Sequence, residues 1–356
     1  MTAARRLVLP VLGAVAFSML LLVVVGAPPI QALGVIVTGS VGSVAKLADT
    51  ITAWVPLALA AAGLVVTFKA GLWNIGVEGQ IIAGAIAATW VARTMPGPGW
   101  IVMVAALLAG MLGGALWAGL AGVLRVRWGI NEIFGGLGLG FVAQAFATYL
   151  IIGPWKRAGI ASTSGTDLFR MDVWLPTIAS TRLSLPAVLL ALGGLGLIGW
   201  LLARTSLGLD LRAVGSNIES ARLIGLRAEA VMMGAFGIGG GLAGVAGGVL
   251  AIGVQHKLVP AIGGGRGFLA ILVVLLAGYS IRWVGPIAFF FAAISVGSSQ
   301  LDLRLDLNSS LGGVIQGTLV LVALLVGGWQ TRRGERAGSA GAPAPSVWAP
   351  GGGGGP

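Results

Sequence analysis

The sequence contains no cysteine and a single histidine, His256. Without cysteine there is no disulfide, no thiolate zinc site and no cysteine nucleophile. One histidine cannot build a histidine-rich metal cluster, and no H-E-x-x-H stretch occurs. The triplet Gly-Lys-Ser/Thr is also absent, so the chain has no P-loop with which to bind ATP. We therefore expect no enzymatic activity, no catalytic residue, no metal and no cofactor in this chain.

Charged side chains are scarce, at 9% of the residues, while 57% are hydrophobic and the mean hydropathy is +0.98. Soluble globular domains carry about 25% charged residues. The apolar runs are long enough for helices of about 20 residues that cross a bilayer, and too long for barrel strands of about 9–11 residues. The sequence therefore predicts an all-α, multi-pass integral membrane protein.

Ten apolar segments are candidates for transmembrane helices. They are 7–26, 51–68, 80–95, 100–124, 130–152, 184–203, 228–252, 268–281, 284–300 and 310–328. We expect one transmembrane domain over 7–330, preceded by a cytoplasmic N-terminus at 1–6. The tail 331–356 is rich in Gly, Ala, Pro and Arg, and we expect it to be disordered and cytoplasmic because it cannot bury a core. The mixed segment 27–50 is compatible with an external interfacial helix.

The net charge is +11, and the basic residues lie in loops rather than on a soluble domain. Nucleic-acid binding requires a basic patch on a folded surface, so we expect no nucleic-acid partner. Lys and Arg instead mark cytoplasmic loops. This rule makes the loops at 125–127 and 204–227 cytoplasmic, which with ten spans places both termini inside. The segment 154–183 also holds four basic residues, which counts against this orientation.

The stretch 71–80 sets Asn74, Glu78 and Gln80 between two long apolar runs. A carboxylate at membrane depth is costly, so it is rarely found there without a use. Three glycines in the same stretch interrupt a helix and allow close approach of backbone or ligand. Glu78 can contact a solute, pair with Lys69, or hold broken helices together by accepting backbone N–H bonds. The last two uses are structural and are the commoner ones for a buried carboxylate.

Three further polar residues are candidates for a pathway: Asn131, Glu132 and Gln144. Asn131 and Glu132 open the predicted span 130–152. The first turn of a helix favours an acidic residue, so a helix start is the competing interpretation. Gln144 lies within the same span, where it either lines a pathway or makes an interhelical hydrogen bond.

The segment 204–227 is the most polar internal stretch on the predicted cytoplasmic side. Ser216 or Asn217 can cap a short helix, Glu219 lies in its first turn, and Gly225 can end it. Such a helix is either a handle for a partner protein or a solvated connector. The residues alone leave both alternatives open.

Glycines recur every four residues at Gly240, Gly244 and Gly248, and again at Gly110 and Gly114. In a membrane, ridges of small residues let helices approach each other closely. We therefore expect these two helices to pack tightly, in preference to a ligand-binding role for the glycines.

Two phrases of the sequence carry a family resemblance. The first is A-G-L-W-N-I-G-V-E-G-Q at 70–80, and the second is R-A-V-G at 212–215 followed by Asn217, Ala221 and Gly225. Together they resemble the permease subunits of ATP-binding-cassette (ABC) importers of the branched-chain-type family. The first phrase is similar to the signature of the simple-sugar/nucleoside branch, whereas the ribose branch carries Gly-Ile-Asp-Leu-Ser there. The second is similar to the coupling loop of the family.

The resemblance implies a subunit that forms half of a transmembrane pore. A coupling helix at Ser216–Ile224 would rest in a groove of a cytoplasmic ABC ATPase, which closes on ATP and moves that helix. The coupling residues carried over are Ser216, Asn217, Glu219, Ala221, Arg222 and Gly225. The pathway residues expected on this basis are Asn74, Glu78, Gln80, Asn131, Glu132 and Gln144.

The resemblance also implies partners and a solute. It implies a second permease subunit, commonly a different chain in the nucleoside branch, and an extracytoplasmic substrate-binding lipoprotein. The expected solute is a nucleoside or a simple sugar, and the expected location is the inner (cytoplasmic) membrane, in contact with lipid. A branched-chain amino-acid permease of the same fold and a stand-alone secondary transporter remain alternatives. A secondary transporter has no need of the loop 204–227.

The sequence departs from the family pattern in two places, although G-F at 267–268 fits it. After N-E-I at 131–133 the nucleoside branch usually continues Thr-Thr-Leu-Met-Leu-Asn, whereas this chain has F-G-G-L-G-L-G at 134–140. Arg266 and Leu269 stand where an aromatic and an acidic residue are common. If these positions line the pathway, the pore is wider or less polar than those of its relatives.

Overall fold

A computed structural model describes most of the chain between residues 28 and 322. The described residues are 19–20, 23, 26, 28–157, 159, 164–178, 181–305, 307–308, 310–318, 320–322 and 325. The predicted N-terminus 1–6, most of the predicted span 7–26 and the tail 331–356 lie outside them. Within the described residues the regular elements are helices, and no strand occurs.

Eleven helices with continuous bounds occur in the part of the chain that the structure describes. They are α1 (Pro29–Val41), α2 (Val44–Lys69), α3 (Val77–Thr94), α4 (Gly99–Trp128), α5 (Glu132–Ile152), α6 (Leu185–Arg204), α7 (Ser206–Ser216), α8 (Ile218–Leu223), α9 (Ala228–Val249), α10 (Arg266–Leu276) and α11 (Ile281–Leu305). A π-helical turn, Leu250–Gln255, continues α9, and a 3-10 turn, Met171–Val173, precedes α6. A further apolar helix, Leu311–Val322, includes one residue outside the described set.

Six of these helices are long and apolar enough to cross a membrane: α2, α4, α5, α6, α9 with its π-helical turn, and α11. The multi-pass prediction is therefore confirmed, but the count of ten spans is not. The predicted span 268–281 falls on α10, which has 11 residues. At 1.5 Å per residue α10 is about 16 Å long, roughly half of the ~30 Å hydrocarbon core.

The segment 27–50 forms α1 and the start of α2 rather than one isolated interfacial helix. α1 packs along α11, with Ala32 and Ile36 buried between them. A Cβ added to Gly39 would lie 3.2 Å from the Gly297 Cα, so the two backbones are nearly in contact. Ala32 and Ile36 of this segment therefore belong to the helix bundle.

α2 and α9 lie at the centre of the bundle. In the most apolar stretch of each helix, 72% of the residues of α2 and 78% of those of α9 with its π-helical turn are buried inside the protein. The glycine ridge of α9 allows close packing against α4. A Cβ added to Gly114 of α4 would lie 2.5 Å from the Gly244 Cα, and one added to Gly244 would lie 2.9 Å from the Gly114 Cα. The prediction that the two glycine ridges are packing surfaces is confirmed.

A leucine at position 244 is expected to destabilise the bundle strongly. Overpacking a core typically costs about 1–3 kcal/mol, and here the added atoms meet backbone, which cannot rotate away. Thermal unfolding in detergent should show a much lower midpoint for Gly244→Leu than for the unsubstituted protein. Gly237→Leu on the same helix is the control, because a Cβ there has no neighbour within 4 Å. Equal midpoints for the two variants would contradict the packing described here.

Candidate translocation pathway and coupling site

The segment 70–76 is an irregular junction between α2 and α3. Gly71 adopts a φ of +75°, a conformation that glycine reaches without steric cost, and the chain re-enters a helix at Val77. Asn74 Nδ2 donates to Gln80 Oε1 at 3.0 Å, and Gln80 Nε2 donates to Asn74 Oδ1 at 2.7 Å. Both side chains are 1% exposed. The two amides satisfy each other and close the turn.

Glu78 lies in the first turn of α3 and binds the N-terminus of α10. Its carboxylate accepts hydrogen bonds from the backbone N–H groups of Gly265 (2.9 Å) and Gly267 (2.7 Å). The helix dipole favours an anion at this position. Among the described residues Glu78 forms no ion pair with Lys69. The geometry is that of a brace between two broken helices, one of the three uses anticipated for this carboxylate.

Gly267 permits this brace because it has no side chain. A Cβ there would lie 2.6 Å from the Glu78 nitrogen and 2.8 Å from its Cα. These distances are shorter than carbon atoms tolerate, so α3 and α10 meet backbone to backbone. The family resemblance at 267–268 pointed to this residue, but no sequence pattern indicated Glu78 as its partner.

Asn131 and Glu132 form the start of α5. Asn131 Oδ1 accepts from Ile133 N at 2.9 Å, which is an N-cap. Glu132 is buried, pairs with Arg125 Nε at 3.2 Å and accepts from Trp73 N at 3.3 Å. Glu132 therefore ties α4, α5 and the junction 70–76 together, in agreement with the helix-start interpretation.

A cavity of about 200 Å³ opens beside the Glu78 brace, between α3, α5 and α10. Glu78 and Gln144 are its polar lining residues, and Gly136 and Gly140 line it from the glycine-rich part of α5. Phe268 contributes an aromatic wall. Of the six predicted pathway residues, only Glu78 and Gln144 reach this cavity.

A larger cavity of about 530 Å³ lies between α3, α4 and α5 and is lined by apolar side chains, including Trp90, Trp117 and Trp155. The indole N–H of Trp117 is already bonded to the Leu139 carbonyl at 3.2 Å. A polar solute would find few partners to orient it here. This cavity is suited to contact with lipid rather than to a pathway for a polar solute.

The predicted coupling residues form a capped helix, α8, directly after α7. Asn217 Oδ1 accepts from Ser220 N at 2.9 Å and caps it, while Ser216 donates its hydroxyl to the Ala213 carbonyl at 2.8 Å. Ala221, within this helix, is buried. Gly225 ends the segment with a φ of +87° and donates its N–H to the Arg222 carbonyl at 2.9 Å. The prediction of a short helix capped by Ser216 or Asn217 is confirmed, and the cap is Asn217.

Arg222 fixes α8 to the start of α9. It pairs with Glu219 at 2.8 Å and with Glu229 at 2.6 Å. The hydrogen bond that Arg222 donates to Glu229, followed by the negative charges of Glu229 and Glu219, raises the pKa of Arg222 above its usual value. The two ion pairs connect α8 to the first turn of α9.

Two exposed apolar residues at the end of α8 were not among the predicted coupling residues. Leu223 is 88% exposed and Ile224 is 73% exposed. Neighbouring apolar side chains left in the open mark surfaces that contact a partner. The sequence signal for this surface is the apolar pair between Arg222 and Gly225, because a helix this short cannot bury both side chains.

The end of α7, at Gly215, and the junction 70–76 are in direct contact. A Cβ added to Gly71 would lie 3.3 Å from the Gly215 Cα, and one added to Gly215 would lie 3.0 Å from the Gly71 nitrogen. The end of α7 therefore packs on the backbone that leads to Glu78. The end of α7 and the broken helices are therefore connected through this backbone contact.

These features define a class of protein. A multi-pass helical bundle contains broken helices beside a partly polar cavity, and the end of α7, which leads directly into the capped helix α8, packs against their junction. Discontinuous helices beside a polar cavity are typical of membrane transport proteins.

Comparison with known proteins identifies the family. The model of the branched-chain amino acid transport system permease component matches residues 46–324. The glucose ABC transporter permease protein of Haloferax volcanii is 33% identical over 88% of this chain and 85% of its own length. The nucleoside ABC transporter permease protein of Lactococcus lactis is 26% identical over 82% of each chain. The guanosine ABC transporter permease protein of Bacillus subtilis is 26% identical over 80% of this chain and 82% of its own length.

The chain belongs to this permease family and is a permease subunit of an ABC importer. The predicted family is confirmed. This assignment replaces the alternative that the chain is a stand-alone secondary transporter. Permease subunits of this kind are partners of a separate ATPase and of a substrate-binding protein, and the comparisons indicate no enzyme family.

Proposed function

We propose that this subunit forms half of the pathway for a simple sugar or a nucleoside. The relatives named above are permeases for glucose, a nucleoside and guanosine, which supports this solute class. The observation that carries the mechanism is the contact of the α7–α8 segment with the junction 70–76 through Gly215 and Gly71.

In this proposal an ABC ATPase docks on Leu223 and Ile224 at the cytoplasmic face. ATP binding by that ATPase moves α7 and α8, and Gly215 transmits the movement to the junction 70–76. Glu78 then carries it to the N-terminus of α10, beside the cavity of about 200 Å³. ATP is used by the ATPase alone, so this chain needs no cofactor.

The orientation and the remaining partners belong to the same proposal. Both termini lie in the cytoplasm of a cell whose inner membrane holds the protein. A second, different permease subunit supplies the other half of the pore, and a substrate-binding lipoprotein delivers the solute on the outside. The arginines of the loops 125–127 and 204–227 support this orientation.

A branched-chain amino acid is the second candidate solute, because the family description names it. Uptake measurements distinguish the candidates. In proteoliposomes that contain this chain, its second permease, its ATPase and its binding protein, we expect ATP-dependent accumulation of D-glucose or guanosine but not of L-leucine. Accumulation of L-leucine alone would replace the proposed solute, and uptake without ATP would contradict the proposed energy source.

A further inference from the structure

A third cavity, of about 310 Å³, lies between α2, the π-helical turn after α9, the start of α10, and α11. Its polar lining residues are Asp49, Thr52, Arg182, Arg266, Ser295 and Ser299. None of them is among the residues predicted to line a pathway. The volume is at the small end of the range for ligand sites, roughly 300–1,000 Å³.

Two of the charged groups in this cavity have unused hydrogen-bonding capacity. Arg266 Nη1 donates to the Gly263 carbonyl at 3.2 Å, but its Nε and Nη2 make no hydrogen bond to the part of the protein described here. Glu78 offsets the Arg266 charge from nearby, although its two oxygens are bonded to backbone N–H groups. The Asp49 carboxylate has neither a hydrogen bond nor an ion pair with any described residue. Half-buried charges of this kind gain from a polar occupant.

The wall chemistry indicates the class of occupant. Arg266 supplies only donors, Asp49 supplies only acceptors, and the hydroxyls of Thr52, Ser295 and Ser299 can act as either. Adjacent hydroxyl groups on a small solute match such a set, because each can donate to a carboxylate and accept from a guanidinium. Hydrogen bonds to charged groups are also the stronger ones.

The cavity walls contain no aromatic side chain. A nucleobase gains about 1–3 kcal/mol from stacking on an aromatic ring, and this cavity offers none. The cavity beside Glu78 differs, because Phe141 and Phe268 line it. The cavity of 310 Å³ is therefore suited to a solute without a base.

The position of the cavity places it on the route into the protein. Asp49 and Thr52 lie in the first turns of α2, whereas the coupling segment packs near Lys69, at the opposite end of the same helix. With α8 at the cytoplasmic face, the cavity faces the outside, where a binding protein releases its solute. Arg266 lies next to the Glu78 brace, because Glu78 accepts from the backbone N–H groups of Gly265 and Gly267 on either side of it.

We propose that this cavity is an outward-facing site for a small polyhydroxylated solute, a monosaccharide or a sugar alcohol, held by Arg266 and Asp49. The inference rests on the proposed function, because it assigns the solute class to the same subunit. It favours a sugar over a nucleoside as the solute that this chain accepts from the outside.

Equilibrium binding to the purified full chain in lipid nanodiscs tests this site, with D-glucose, D-ribose and myo-inositol as the probes. We expect saturable binding of at least one probe. We expect Asp49→Asn and Arg266→Gln each to raise its Kd at least tenfold. Ser295→Trp should abolish binding by filling the cavity. Arg93→Gln is the matched control, because Arg93 lies over the Trp155 ring at 5.8 Å, outside this cavity, and should bind as the unsubstituted chain does.

Lack of binding of all three probes to the unsubstituted chain would overturn the site. Equal affinity of Ser295→Trp and the unsubstituted chain would also overturn it, and Ser295 is exposed, so that variant should fold. These results are separable from a failure of the proposed function. That failure would appear as loss of ATP-driven solute uptake by the unsubstituted transporter, which the binding measurement does not involve.

Discussion

Gly225→Pro is expected to abolish ATP-driven uptake while leaving the protein folded in the membrane. Gly225 has a φ of +87° and donates its N–H to the Arg222 carbonyl. Proline fixes φ near −65° and has no N–H, so it can adopt neither feature. The end of α8 must then change direction and carry Leu223 and Ile224 with it. No atom lies within 4 Å of a Cβ at position 225, so the bundle itself should be unaffected.

Two further variants, one single and one double, test the same surface without changing the backbone. Glu219→Arg replaces the 2.8 Å ion pair with Arg222 by a repulsion, and we expect it to stop uptake as well. A double change, Leu223→Asp and Ile224→Asp, should release the ATPase from the membrane fraction. Met171→Asp is the control, because Met171 is also apolar and exposed but lies in the 3-10 turn before α6. Normal uptake by Gly225→Pro and Glu219→Arg would remove the coupling assignment.

Glu78→Gln is expected to lower the stability of the protein in detergent. The carboxylate accepts from two backbone N–H groups, whereas an amide has one oxygen, and its NH₂ would face a second donor. Hydrogen bonds to charged groups contribute about 1.5–3 kcal/mol each, so a loss of about 3 kcal/mol is expected. Thermal unfolding in detergent measures this loss.

The transport assay of the same variant separates bracing from solute binding. If Glu78 is a brace, the fraction of Glu78→Gln that remains folded should take up solute with an unchanged KM. Asp302→Asn provides the control, since it makes the same chemical change at an exposed carboxylate. Unchanged stability together with a large rise in KM would assign Glu78 to the solute instead.

The helices were predictable because their apolar runs are long and are separated by Gly, Pro and charged residues. Every predicted span from 51–68 to 284–300 coincides with a helix, yet α10 is too short to cross a membrane. Hydropathy could not show this, because a half-length helix buried against Glu78 is as apolar as a full span. The contact of α1 with α11 could not be predicted either, because the two helices lie some 260 residues apart in the sequence.

The polar residues of the candidate site were predictable as a set but not in their individual roles. Asn74 and Gln80, both predicted to lie on the pathway, are bonded to each other and buried, an arrangement that their spacing does not reveal. The turn at Gly71, with a φ of +75°, brings the two amides together. Arg266 and Asp49 share a cavity through contacts between distant helices, which one sequence cannot reveal.

Site-directed cross-linking tests the central claim most directly, namely that α8 is the docking point of the ATPase. The chain has no cysteine, so Leu223→Cys introduces a single thiol that can carry a benzophenone maleimide. On illumination of the assembled transporter in membranes, we predict a covalent adduct with the ATPase subunit from position 223 and none from Met171→Cys. An adduct with the ATPase from position 171 but not from position 223 would contradict the account.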